Sequence, residues 1–209
     1  MPLFGESNLR QGFSNAGVAG WHSQFSGNIP NSCLFDNDDS QYIARTNTGS
    51  HSNSEVTMAC WFQQIDEADG RMRGGNIGII SIGDGSSSGS PNNGIFISSG
   101  VIYLYANGQG ATTNKVLGDQ GWYHLIASFK LDEATGPEKG RLFINGIEYH
   151  DWNADPRSSW GTSFNNVSKQ FVGLLANTTS PDGYIAQPVF LDGQSIQGGD
   201  WTVDSFLDT

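Results

Sequence analysis

The chain has 209 residues, of which 28 are Gly, 24 Ser and 17 Asn, and its 10 Lys and Arg against 21 Asp and Glu leave a formal net charge of -11. That balance excludes a nucleic-acid partner, because binding phosphates needs clustered cations. No apolar run approaches the ~18–20 residues of a transmembrane helix, and the length fits one domain with a short arm.

Residues 1–30 stand apart. They are rich in Gly, Ser and Asn and carry isolated large apolar residues, Leu3, Phe4, Leu9, Phe13, Val18, Trp21 and Phe25. Their spacing fits neither a helical stripe nor a strand alternation, so the segment has no face of its own to bury. It is expected to be an anchoring arm that docks on another surface through Phe4, Leu9, Phe13, Trp21 and Phe25. The opening Met1-Pro2-Leu3-Phe4-Gly5-Glu6 lacks the basic and apolar regions of a secretory signal, so a soluble product without an export leader is expected.

From residue 31 to 209 the pattern predicts a single all-β domain. Ile and Val total 23 against 12 Leu, and Gly and Asn interrupt the chain every ten residues or so. Strands are predicted at 32–36, 41–45, 55–62, 76–82, 94–98, 101–106, 122–129, 140–149, 169–175 and 183–192. In the third, Val56, Met58, Cys60 and Phe62 share one face. In the seventh, Tyr123, Leu125, Ala127 and Phe129 share one face, with Trp122 and Ile126 opposite. Asn145-Gly146, between two apolar runs, predicts a type I′ hairpin turn, and Ser99-Gly100 separates two further strands in the same way. Segments 64–75, 83–93 and 150–166 read as loops. Short strands with Gly-rich turns, some apolar on both faces, predict two stacked antiparallel sheets.

Cys33 and Cys60 fit no metal spacing and no disulfide framework, so both are expected to be buried, reduced thiols. The sequons at Asn166 and Asn177 carry little weight without a secretory route. Three carboxylates in one turn, Asp36, Asp38 and Asp39, are candidate ligands for calcium, a hard cation that takes several oxygens. Asp and Asn are equally common turn formers. No other cofactor is suggested. Tyr149, Trp152 and Trp160, in or beside the 150–166 segment with Asp151, Asn153 and Asp155, are candidates for contact with a glycan or another protein. They could equally cover the end of the sandwich.

The run Ser32-Cys33-Leu34-Phe35-Asp36, followed by Gln41-Tyr42-Ile43-Ala44-Arg45, resembles the opening strands of concanavalin A-like (laminin-G-like) jelly rolls. Trp122-Tyr123-His124-Leu125 and the later Arg141-Leu142-Phe143-Ile144-Asn145-Gly146 resemble that superfamily's tryptophan-x-histidine strand and following hairpin. A narrower resemblance is to such proteins of tailed bacteriophages. It rests on the insertion Glu133–Lys139, the stretch Phe190-Leu191-Asp192-Gly193-Gln194 and Asp204-Ser205-Phe206. Gln187-Pro188 departs from it, standing where the family usually has an acidic and an aliphatic residue.

The resemblance implies a virion surface structural protein, either a capsid decoration or cement protein or a head or tail fibre component. It would be assembled in the host cytoplasm and would act through contacts with major capsid or tail proteins. A homo-oligomer is expected, a trimer favoured. The alternative is a lectin-like module that attaches to host surface glycans. Neither a nucleic-acid nor a membrane partner is expected. Retaining glucanases of the jelly-roll fold need Glu-x-Asp-x-x-Glu on one strand, so that both carboxylates face the cleft. The nearest match, Glu67-Ala68-Asp69-Gly70-Arg71-Met72, ends in a residue that can neither donate nor accept a proton. No nucleophile elbow or metalloprotease motif is present. From these absences the sequence predicts that the chain is not an enzyme.

Overall fold

A computed structural model describes residues 32–35, 41–48, 50–64, 76–83, 93–98, 100–117, 121–164, 167–174 and 181–196. The five apolar residues of the arm, the acidic turn Asp36–Asp39 and the Glu67–Met72 segment lie outside them.

Thirteen strands form within these residues, in chain order β1 (Cys33–Phe35), β2 (Ile43–Thr46), β3 (Glu55–Gln64), β4 (Asn76–Gly83) and β5 (Asn93–Ser98). There follow β6 (Val101–Ala106), β7 (Gln109–Val116), β8 (Trp122–Lys130), β9 (Gly140–Ile144) and β10 (Ile147–Glu148). The last three are β11 (Trp152–Ala154), β12 (Lys169–Val172) and β13 (Gly183–Asp192). A one-turn helix α1 (Gly136–Lys139) precedes β9, and a 3-10 turn spans Arg157–Ser159. One sheet has six strands in the order β1-β13-β3-β8-β9-β10, the other seven in the order β11-β7-β6-β5-β4-β12-β2. Every pairing is antiparallel. The predicted jelly-roll sandwich is the fold of this protein.

Strand alternation places the core. Val56, Met58, Cys60 and Phe62 point inward from β3, and Leu125, Ala127 and Phe129 from β8, with Tyr123 packed beside them. They meet Ile77, Ile79, Ile80 and Ile82 of β4 and Ile102, Leu104 and Ala106 of β6 across the interior. A side-chain period of two fixes this register, because a one-residue slip would send each set to the opposite face. At the β9–β10 hairpin Asn145 and Gly146 have φ of 51° and 81°, as a type I′ turn requires.

Three expectations need correction. The segment 150–166 is not all loop, since β11 adds an edge strand to the seven-stranded sheet and the Arg157–Ser159 turn follows it. Strand β7 occupies residues where no strand was predicted. Cys33 is exposed, not buried, because β1 is the outer strand of its sheet; Cys60 is buried, and both thiols are free.

Candidate functional site

The three aromatic residues singled out by the sequence gather at one end of the sandwich, but two of them are core residues. Tyr149 and Trp160 are buried in the main apolar cluster, and Trp160 lies 5.9 Å from Phe129. The Tyr149 hydroxyl accepts the backbone N–H of Asn114 at 2.9 Å. These two cannot stack on a ligand, which corrects their reading as a contact surface. They cover the end of the sandwich, as the alternative had it.

Trp152 is half-buried, with its ring held by two neighbours. The Arg157 guanidinium sits 4.5 Å from its ring centre, and Tyr149 meets it nearly perpendicularly at 5.4 Å. Arg157 is itself buried and is neutralised by a fork of two 2.6 Å bonds donated to Asp155, with a third donated to the Gly140 carbonyl. The Arg157 hydrogen bonds hold the Asp155 carboxyl below its usual range. The Lys139 ammonium, also buried, donates to the Trp160 carbonyl at 2.6 Å. Every buried cation here is spent on the chain's own backbone or carboxylates, so this end works as a structural clamp.

The surface with ligand chemistry lies on the outer face of the seven-stranded sheet. Along β6 the inward set Ile102, Leu104 and Ala106 alternates with the outward set Val101, Tyr103 and Tyr105, all three half-buried. Phe96 of β5 stacks on Tyr103 with ring centres 4.3 Å apart and meets Tyr105 edge-on at 5.5 Å. On the next strand Gly110 lies between the two tyrosines: a Cβ there would stand 3.0 Å from the Tyr103 ring and 3.2 Å from the Tyr105 ring. The missing side chain lets both rings lie close to the backbone of β7. Partial desolvation raises the Tyr105 phenol above its ordinary pKa. The Thr112 hydroxyl beside them is buried and has no hydrogen-bond partner among the described residues. This face thus presents two half-buried tyrosines beside the buried Phe96 ring. The sequence placed these residues on a strand without saying which alternate set faced out.

Other candidates resolve differently. His124, expected on a strand face, is buried and stacked on Trp61 with ring centres 4.7 Å apart. His51 pairs with the Asp192 carboxylate at 2.9 Å. Among the described residues no three His, Cys, Asp or Glu side chains converge in a way that could hold a metal.

No family model and no curated protein matches the chain. Solved structures do. The chain is similar to the mouse laminin alpha1 chain, domains LG4-5, with 8% identity and a TM-score of 0.53 over 82% of this chain and 46% of that one. It is similar to the botulinum neurotoxin serotype G binding domain, with 12% identity and a TM-score of 0.54 over 85% of this chain and 44% of that one. It is also similar to the Trypanosoma rangeli sialidase in complex with sialic acid, with 12% identity and a TM-score of 0.50 over 69% of this chain and 22% of that one. The chain thus spans less than half the length of each. At these identities the likeness establishes the fold, a laminin-G-like, lectin-type jelly roll, and the fold alone. It also corrects the expectation that the chain is not an enzyme. The structures sharing this architecture include a sialidase, so neither the fold nor the absence of a glucanase triad excludes catalysis.

Proposed function

We propose that this protein is a carbohydrate-binding, lectin-like module displayed on the surface of a bacteriophage particle. The observation that carries the binding role is the half-exposed strip of Tyr103 and Tyr105, backed by Phe96 and fitted over Gly110. The chain's net charge of -11 disfavours polyanionic glycans and favours neutral ones. The laminin-G-like fold supports the same reading. The particle setting is supported by the residues that resemble tailed-phage proteins, Glu133–Lys139 and Phe190–Gln194 in particular.

A structural role among neighbouring virion proteins is the second reading, and one feature favours it. The outer strands β1 and β2 lie at the same side of the sandwich and expose Leu34 and Ile43, with Tyr42 exposed just ahead of β2 and Leu34 54% accessible. Unpaired strand edges carrying apolar side chains favour contact with another chain. Residues 1–30 would add anchors of their own, and symmetric copies would meet at such surfaces.

The test is binding to an array of neutral oligosaccharides, followed by titration of the best ligand. Tyr103→Ala and Tyr105→Ala are each expected to weaken binding about two- to tenfold, since stacking contacts of this kind are worth ~0.5–1.5 kcal/mol. Unchanged affinity in both variants, or no binding to any sugar, would leave the structural role as the better account.

A further inference from the structure

The two tyrosines of the outer strip are not equivalent, and strand register is the cause. In its row across the sheet Tyr103 has Phe96 on one side and Thr112 on the other, so a side chain flanks it on each neighbouring strand. Tyr105 stands in the next row between Gly94 and Gly110, with no side chain opposite it on either strand. Directly opposed side chains on one face pack against each other. Tyr103 is accordingly stacked on Phe96 with the ring planes 13° apart, whereas Tyr105 is inclined at 67° to the same Phe96 ring.

Those two angles fix a third relation. A ring nearly parallel to Phe96 and a ring steeply inclined to it cannot be parallel to each other. Tyr103 and Tyr105 lie two residues apart on β6, about 7 Å along the strand, and so form a corner and not a ledge. Gly110 keeps the corner tight, because both rings reach over it to within 3.0 and 3.2 Å of where its Cβ would stand. One face of Tyr103 is already given to Phe96, while Tyr105 is stacked on neither Phe96 nor Tyr103. Both tyrosines are half-buried, so each keeps part of its ring accessible.

We infer, on the carbohydrate-binding role proposed above, that the strip reads one sugar unit and not a run of them. Stacking requires the pyranose and the aromatic ring to lie parallel, so consecutive units of an extended chain need a row of coplanar rings. Two steeply inclined rings cannot stack on consecutive units of such a chain. A single pyranose fits the corner instead. Its flat face lies on Tyr105, the ring not already stacked, and its edge turns toward Tyr103, whose phenol exchanges hydrogen bonds with the sugar hydroxyls. The ligand class is therefore a neutral monosaccharide, or one such unit within a larger glycan, and chain length adds no contact at these two rings.

The experiment titrates the full chain with matched pairs of neutral sugars: glucose and cellohexaose, mannose and mannohexaose, galactose and galactohexaose. Within the pair that binds, the two affinities are expected to agree to within about tenfold, which covers the statistical advantage of several equivalent units. A hexamer that binds more than about tenfold tighter than its monosaccharide overturns the inference. This comparison needs no variant. In a second arm, Tyr105→Ala is expected to weaken both members of the pair by the same factor, to within about twofold. A loss concentrated on the hexamer shows a run of units engaged and overturns it as well. Binding by the native chain that grows with length removes the single-unit inference alone. No binding to any of the six sugars removes the carbohydrate role on which it rests, and the inference with it.

Discussion

His124 carries an electrostatic liability that follows from its place. Its ring is buried against Trp61, its Nδ1 has no hydrogen-bond partner, and desolvation pulls its pKa from 6.5 down to about 4. The unfolded chain therefore binds a proton between pH 6.5 and 4 that the folded chain refuses. Above pH 6.5 the ring is neutral in both states, so it adds no pH dependence there. Stability falls as pH drops through that window, by at most about 3 kcal/mol. His124→Gln cannot be protonated, so its melting temperature is expected to fall less between pH 7 and pH 4.5 than that of the native chain. Parallel pH profiles of the two proteins would contradict the assignment. Burial likewise pushes the Cys60 thiol up to about 12, which keeps it protonated and unreactive, whereas Cys33 is open to alkylation without unfolding.

The most irregular strand is β13, and the cause sits at Gln187-Pro188. Ala186 pairs with Trp61 and Val189 with Ala59, so Gln187 and Pro188 together oppose the single residue Cys60. This is a β-bulge, and it tolerates a proline that could not donate to a regular ladder. Gln187 adopts φ 48°, in the left-handed region. A β-branched side chain is strained there, so Gln187→Val is expected to destabilise by about 1–2 kcal/mol, while Gln187→Gly is tolerated. Chemical denaturation of the two variants checks this, and equal midpoints would argue against the bulge. The other strands were legible to the degree that their faces alternate. Strands β3 and β8 carry unbroken apolar sets, and their inner faces followed directly. Strand β7, Gln-Gly-Ala-Thr-Thr-Asn-Lys-Val, shows no apolar alternation; its clearest local sign is Asn107-Gly108, with φ 52° and 83°, the same turn pair as Asn145-Gly146. The roles of Tyr149 and Trp160 could not be read locally, because a loop aromatic that caps a core and one that meets a ligand have the same neighbours in sequence. Tyr103 and Tyr105 were ambiguous in another way. Both faces of β6 are apolar, and only the packing of the six-stranded sheet against Ile102 and Leu104 decides which set turns outward.

At the scale of the whole molecule, the proposed division of labour between residues 1–30 and the sandwich makes its own prediction. The described residues supply a continuous core from Phe35 to Ile185, in which both sheets contribute facing side chains. A core so constituted does not call for the five apolar residues Phe4, Leu9, Phe13, Trp21 and Phe25. Burying one of these gains roughly 1.5–3 kcal/mol, whereas fixing each residue's backbone costs about 1–2 kcal/mol. Five anchors therefore cannot order thirty residues without a preformed surface and its backbone hydrogen bonds. If that surface belongs to a neighbouring virion protein, deleting residues 1–30 shifts the melting temperature of the isolated protein by less than about 3 °C, the equivalent of ~1 kcal/mol for a domain of this size. Sugar affinity at the tyrosine strip stays unchanged. Incorporation into particles falls sharply, and Phe13→Ala with Trp21→Ala reproduces part of that fall. Calorimetry and particle composition read the two halves separately. A truncated chain that melts more than about 10 °C lower would place the arm in the fold's own core and remove the basis for an anchoring role.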